Sequence, residues 1–241
     1  ELANVDTQLN VRLAGATALA NRMRLKREQD WIKTYFAPGV WTTNYTGVAA
    51  TPAAGQVIRW DSFDTSTPVE DVTKAKTAMF LASGGAASYT DIVAVMTQDV
   101  YDVLINHPRI IARMNGGSTV SNPALITKAK LAEVFGVAEI LIPRAIGNTG
   151  KEGLADNHGF LVKNRFGLFA RPKNPGIMTP ASGYNFTWSA GTNAGFGIDV
   201  NSYTGEYLRI KHVVEKLEVV NSWAMKVVSP DMAVLFDTVL A

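Results

Sequence analysis

Apolar residues recur at helical spacing near the start of the chain. Leu9, Leu13, Ala16, Leu19, Ala20 and Met23 share a broad face, which predicts a long helix over residues 8–36. The pattern changes at residue 37. Pro38, Gly39, Gly47, Pro52 and Gly55 interrupt two β-prone runs, Val40 to Tyr45 and Gln56 to Ser62, in which Thr, Val, Tyr and Trp favour strands. A long two-stranded excursion is expected here, and such a hairpin is barely stable unless it lies on something. Thr67-Pro68-Val69-Glu70 then reads as a helix start, with Thr67 as N-cap, Pro68 at the first helical position and Glu70 closing a capping box. Val69, Val72, Lys76, Met79 and Phe80 continue this helix to Gly84-Gly85.

A second helix is expected from Thr90 to Asn106, with Ile92, Met96, Val100, Val103 and Leu104 on one stripe and an end at His107-Pro108. A third runs from Pro123 or Thr127 to Phe135 and closes at Gly136. Val137 to Pro143 reads as a buried strand. Residues 145–205 are rich in Gly, Asn and aromatics, with short strands expected at Gly159–Val162, Gly167–Ala170 and Tyr184–Trp188. Glu206 to Val228 is dense in Val, Leu and Ile and reads as extended strands, although Val213–Val220 also fits a short helix. Ser229-Pro230 turns the chain into a last apolar run, Met232 to Leu240. The class is α+β, with no internal repeat.

Composition narrows the function classes. Charged residues are 18% of the 241 positions and hydrophobic ones 47%, whereas a soluble domain carries about a quarter charged. That deficit suggests a surface that meets other protein. The net charge of +2 does not announce a nucleic-acid reader. Arg22, Arg24, Lys26, Arg27 and Lys33 nevertheless crowd the end of the first helix, where basic residues suit the dipole and a solvated face explains them. The absence of cysteine excludes disulfides and thiolate chemistry. No run approaches the roughly 20 apolar residues of a membrane span. Glu1 opens no recognisable signal peptide, and a start other than Met implies processing, trimming or further residues ahead of it.

No constellation of chemistry stands out. His107, His158 and His212 are far apart and lack ligand spacing. Gly147, Gly150 and Gly153 suggest a phosphate loop only superficially, since no Gly-Lys-Ser/Thr follows; a surface loop fits better. Asp61, Asp64, Glu70 and Asp71 cluster, but capping and the helix dipole account for Glu70 and Asp71. Gly-x-Ser-x-Gly is missing, and the Asn44 and Asn185 sequons matter only in a secreted protein. No catalytic, cofactor-binding or metal-ligating residue is nominated.

The order of elements is more telling. A helical arm precedes a β excursion ending at Trp60-Asp61, then the helix at Thr67-Pro68-Val69-Glu70-Asp71-Val72. Next come Tyr89-Thr90-Asp91-Ile92-Val93-Ala94-Val95-Met96 and Leu104-Ile105-Asn106-His107-Pro108. Leu131-Ala132-Glu133-Val134-Phe135-Gly136-Val137 and Gly183-Tyr184-Asn185-Phe186-Thr187-Trp188 follow. Over nearly its whole length the chain resembles major capsid proteins with the HK97 fold, shared by tailed-phage heads, herpesvirus capsid floors and encapsulin shells.

The resemblance implies an N-terminal arm at 1–36, an extended E-loop at 37–66 and a spine helix from Pro68 to about Ser83. It implies a peripheral domain at 67–114 and 206–228, and an axial domain at 115–205 and 229–241. It implies a virion subunit without enzymatic activity or cofactor, assembled in the host bacterial cytoplasm into the pentamers and hexamers of an icosahedral shell around double-stranded DNA. Portal, scaffold and decoration proteins are the further partners it implies, and no membrane. Val40, Trp41, Tyr45, Val57, Ile58 and Trp60 would then bury on a neighbouring copy, and Arg22, Arg24, Lys26 and Arg27 would face packaged DNA. Residues 37–66 contain no lysine, so a lysine-borne cross-link from that loop is not expected. An encapsulin-type compartment, a soluble enzyme and a tail or decoration protein are the alternatives.

Overall fold

The computed structural model describes residues 11–114, 126–148, 150–151, 153–176, 178–187, 197–207 and 210–241, with backbone alone for 11–13 and 197–220. Leu9, Pro123 and Trp188, named above, fall outside this set. The chain divides into two compact units, Glu1–Trp31 with Asn185–Lys226, and Ile32–Tyr184 with Val227–Ala241.

The larger unit is built on a sheet of six strands: β1 (Thr43–Val48), β2 (Gln56–Ile58), β3 (Ile92–Met96), β4 (Glu139–Leu141), β7 (Phe166–Ala170) and β12 (Ala233–Asp237). Their order is β2-β1-β12-β7-β3-β4. β12 runs parallel to β1 and antiparallel to β7, while β3 runs antiparallel to β7 and parallel to β4. Every residue of β3 and β7 is buried, and so are the first four of β12. Central strands covered on both faces need continuous apolar runs, and Ile-Val-Ala-Val-Met, Phe-Gly-Leu-Phe-Ala and Ala-Val-Leu-Phe supply them. The two edge strands are three residues each, which limits the unpaired backbone offered to other chains.

Helices α2 (Pro68–Ala82), α3 (Gln98–Ile105), α4 (Pro108–Met114) and α5 (Lys128–Phe135) complete this unit. One core joins them to the sheet: Val72 and Met79 of α2, Leu131 and Phe135 of α5, Phe166 of β7 and Phe236 of β12 are all but fully buried in it. Trp60 sits edge-on to Phe166 at 5.2 Å, and Phe166 is edge-on to Phe236 at 5.6 Å. Such tilted pairs add about 0.5–1.5 kcal/mol each beyond the apolar area they bury. Helix α5 ends as its sequence predicts. Gly136 takes φ 59° and ψ 48°, the left-handed conformation open to glycine without strain. The buried Lys76 ammonium donates to the Phe135 carbonyl and, at 3.2 Å, to that of Gly136, satisfying oxygens that the helix leaves unpaired.

The smaller unit contains most of α1 (Val11–Tyr35) and the long ribbon β9 (Gly197–Tyr207) with β10 (Ile210–Val220). The ribbon is antiparallel, in continuous register from Gly197↔Val220 to Tyr207↔Ile210. β5 (Ile146–Asn148) pairs with β6 (His158–Phe160), and β8 (Gly183–Thr187) pairs with β11 (Trp223–Val227).

Several expectations are corrected. Residues 37–66 form no hairpin: β1 and β2 are parallel neighbours, Thr46↔Gln56 to Val48↔Ile58, and belong to the main sheet. The loop between them doubles back through Thr51 at φ 53° and Gly55 at φ 77°. The helix expected over Thr90–Asn106 is a short 3-10 turn, strand β3 and α3 in succession. Ile92 and Met96 satisfy a helical stripe, but the run Val93-Ala94-Val95 between them is apolar on both strand faces and fills the sheet interior. His107-Pro108 ends one helix and opens the next, because proline is accepted in a first turn. Thr67 is the N-cap of α2, yet its side chain makes no cap bond; its hydroxyl points to Asp71, and Glu70 turns to Arg113 instead of closing a box.

Helices α2 and α5 share one core. Residues 206–226 group with the chain up to Trp31.

Candidate inter-subunit surfaces

Of the six residues nominated for contact with a neighbouring copy, three are buried within the chain itself. Trp41, Val57 and Trp60 are 3%, 6% and 0% exposed. Trp41 Nε1 donates to the Tyr35 carbonyl at 2.7 Å, and its ring stacks near Tyr35 and meets Phe169 edge-on. Tyr45 stacks on Phe236 at 4.9 Å. Val40 and Ile58 are half-buried. A segment this thin needs support from elsewhere. The structure supplies the support from within the chain: β12, 190 positions further on, lies beside β1 in the register Thr43↔Val234.

The basic group occupies one stretch of α1. Arg22, Arg24 and Lys26 are exposed and Arg27 is half-buried. Lys26 pairs with Asp30 one turn later at 3.0 Å, a contact worth little at an exposed site. This stretch is accessible to a polyanion, and Asp30 offsets one of its charges.

Exposed apolar side chains lie elsewhere. In the β5–β6 ribbon Ile146 stands opposite Phe160, and the two are 54% and 36% exposed. Asn148 and His158, also opposite each other, continue the same face because strand side chains alternate with period two. The glycine pair Gly147↔Gly159 separates them, and the space a Gly147 side chain would need is taken by Leu161. The spacing Ile-Gly-Asn against His-Gly-Phe carries this two-faced ribbon in the sequence, but the glycine-loop reading hid it. Leu81, at 72% exposed, projects from the end of α2, where Phe80 and Tyr89 are in ring contact.

Buried ionisable groups are structural in their surroundings. Burial pushes the Asp71 carboxyl above its ordinary range, against the hydrogen bond from Trp60 and the charge of Lys74. Burial lowers the Lys76 ammonium. Burial and the charge of Arg109 lower the His107 imidazole. Burial, then the charge of Asp71, raises the Tyr45 phenol. Among the described residues no group of three or more His, Asp or Glu side chains is placed to hold a metal ion, and no helix is long and apolar enough to cross a membrane. His158 lies on the exposed face of β6, and the His212 side chain is outside the described set.

No protein-family model matches the chain, and no curated protein matches its sequence. Solved structures do match. A phage-related protein from Bordetella bronchiseptica RB50 aligns with 99% of this chain and 70% of its own length, at 17% identity and a TM-score of 0.68. The capsid structure of the cyanophage P-SCSP1u aligns with 98% of this chain and 69% of its own, at 13% identity and a TM-score of 0.53. At such identities the likeness is one of architecture: the chain has an α+β fold of the kind found in HK97-like capsid proteins.

Proposed function

We propose that this chain is a structural, non-catalytic subunit of a protein shell, the major capsid protein of a tailed-phage head. The observation that carries the reading is the match in fold, over 98% of the chain, to the capsid structure of the cyanophage. In this reading many copies associate as pentamers and hexamers of an icosahedral shell around double-stranded DNA, in a virion assembled in the bacterial cytoplasm. Portal, scaffold and decoration proteins would be its further partners. The low charged fraction, 18%, supports a surface largely covered by other copies, and the net charge of +2 spares packed subunits strong mutual repulsion. The exposed Ile146–Phe160 pair is a candidate for such cover. Closed symmetry repeats each contact many times, so individual contacts can stay modest.

Arg22, Arg24, Lys26 and Arg27 are proposed to face the interior and meet DNA phosphates without sequence preference. An encapsulin-type compartment would share the fold and differ in its contents. Isolating the assembled particles and identifying what they enclose separates the two: nuclease-protected double-stranded DNA supports the phage head, and a protein cargo without nucleic acid overturns it.

A further inference from the structure

His107 is wholly buried at the corner where α3 passes into α4, and both of its ring nitrogens are engaged. The Arg109 backbone N–H donates to Nδ1 at 3.3 Å. Nδ1 must therefore be unprotonated, and in a neutral ring the proton sits on Nε2. Nε2 then donates to Ser66 Oγ at 2.9 Å, a hydroxyl that is itself 0% exposed. Phe63 closes over the ring edge-on at 5.5 Å. The turn Ser62–Ser66 that carries Phe63 and Ser66 leads directly into α2. One imidazole thus ties the turn before α2 to the first turn of α4, whose Ile110 and Ile111 amides also donate to the His107 carbonyl.

We propose that this corner is an acid-sensitive latch, closed while His107 is neutral and opened between α4 and the Ser62–Ser66 turn when the ring takes a second proton. Protonation at Nδ1 places an N–H against the Arg109 N–H, so an attractive contact becomes repulsive. The charged groups around the ring do not compensate. Arg109 on α4 opposes the added charge, and Glu70 on α2, which would favour it, is already paired with Arg113 of α4. Arg109 is also held across the corner, its guanidinium donating to the Asp64 carbonyl at 3.3 Å. The six-stranded sheet has no part in the latch and stays closed.

The sign follows from linkage. The folded ring resists a proton that the unfolded ring accepts near 6.5, so the latch is intact above that pH and weakens as pH falls below it. The proposal does not rest on the shell reading, and its test uses the full chain in whatever state of assembly it adopts. Backbone hydrogen exchange, corrected for intrinsic rates and followed by mass spectrometry, is compared at pH 7.5 and 5.0 for peptides covering 108–114 and 166–170. Exchange at the histidine ring carbon reports the protonation of each imidazole in the same samples. We expect protection of 108–114 to fall about tenfold or more at the lower pH, in step with titration of His107, while 166–170 is unchanged. His107→Gln, which keeps a donor toward Ser66 and cannot titrate, should abolish the difference. Equal protection of 108–114 at both values in the unmodified chain would overturn the latch, with or without a folded variant. So would the same fall in a folded His107→Gln chain.

Discussion

Trp60 Nε1 donates to Asp71 Oδ2 at 3.2 Å inside the core of the larger unit, tying the segment after β2 to the first turn of α2. The carboxylate gains a donor where water is scarce, and the indole fixes its polar edge while its ring packs on Phe166 and Phe236. Trp60→Phe should cost about 2–4 kcal/mol, from lost volume and from a buried carboxylate left short of a donor. Urea unfolding measures it; an unchanged midpoint would contradict the assignment.

Asp71 also gives a pH signature. Its folded-state affinity for a proton is raised above the ordinary value of 3.8, so its contribution to stability is full below that pH and declines as pH rises through the raised value. Asp71→Asn should remove this decline. Subtracting the variant's stability–pH profile from that of the unmodified chain should give a difference that falls as pH rises from about 4. A flat difference would place Asp71 in water.

Gly47 in β1 lies against the Thr238 carbonyl, closer than any side chain could approach, and Val239 crowds the same space. The Val239 carbonyl accepts from Trp60 N at 2.8 Å, and its N–H donates to Asn164 at 3.1 Å, so this backbone has little freedom to move. Gly47→Ala should cost more than about 3 kcal/mol or prevent folding. Thermal unfolding decides, and a variant within about 1 kcal/mol of the parent would refute the packing described.

Trp41→Ser separates an internal role from an intermolecular one. Trp41 packs on Tyr35 and Phe169 within its own chain, so the substitution should destabilise the subunit itself by about 3–5 kcal/mol. A variant with unaltered subunit stability that fails only in association would contradict this and support residues 37–66 as an arm reaching a neighbour.

If Arg22, Arg24, Lys26 and Arg27 meet phosphate, replacing all four with Gln should weaken DNA binding equally across sequences. It should also flatten the log–log dependence on salt by about 3 to 4 units. Filter binding at several salt concentrations measures both, and an unchanged slope would remove these residues from the interface.

Much of the fold was legible because local chemistry and tertiary packing agree. The first helix, the stop of α5 at Gly136, and the extended runs after residue 206 all follow from patterns within a dozen residues. Failures came where distant chain decides. Ile92–Met96 satisfies a helical stripe and a buried strand equally, and the choice is made by β7 and β4 on either side. Val40–Trp60 looked unsupported because its support is β12, at the far end of the sequence. Trp60 and Tyr45 likewise have partners remote in the same chain, which no local pattern reveals. The expected strand at Gly159–Val162 is present as β6, but its partner β5 is hidden because Gly147 reads as part of a glycine loop.

The central claim, a shell subunit, is tested most directly by electron microscopy of the chain expressed alone and together with a phage scaffold protein. Closed, uniform icosahedral particles with the chain as their wall are the predicted result. A monodisperse monomer or small closed oligomer under every condition, with the fold intact by circular dichroism, would contradict it.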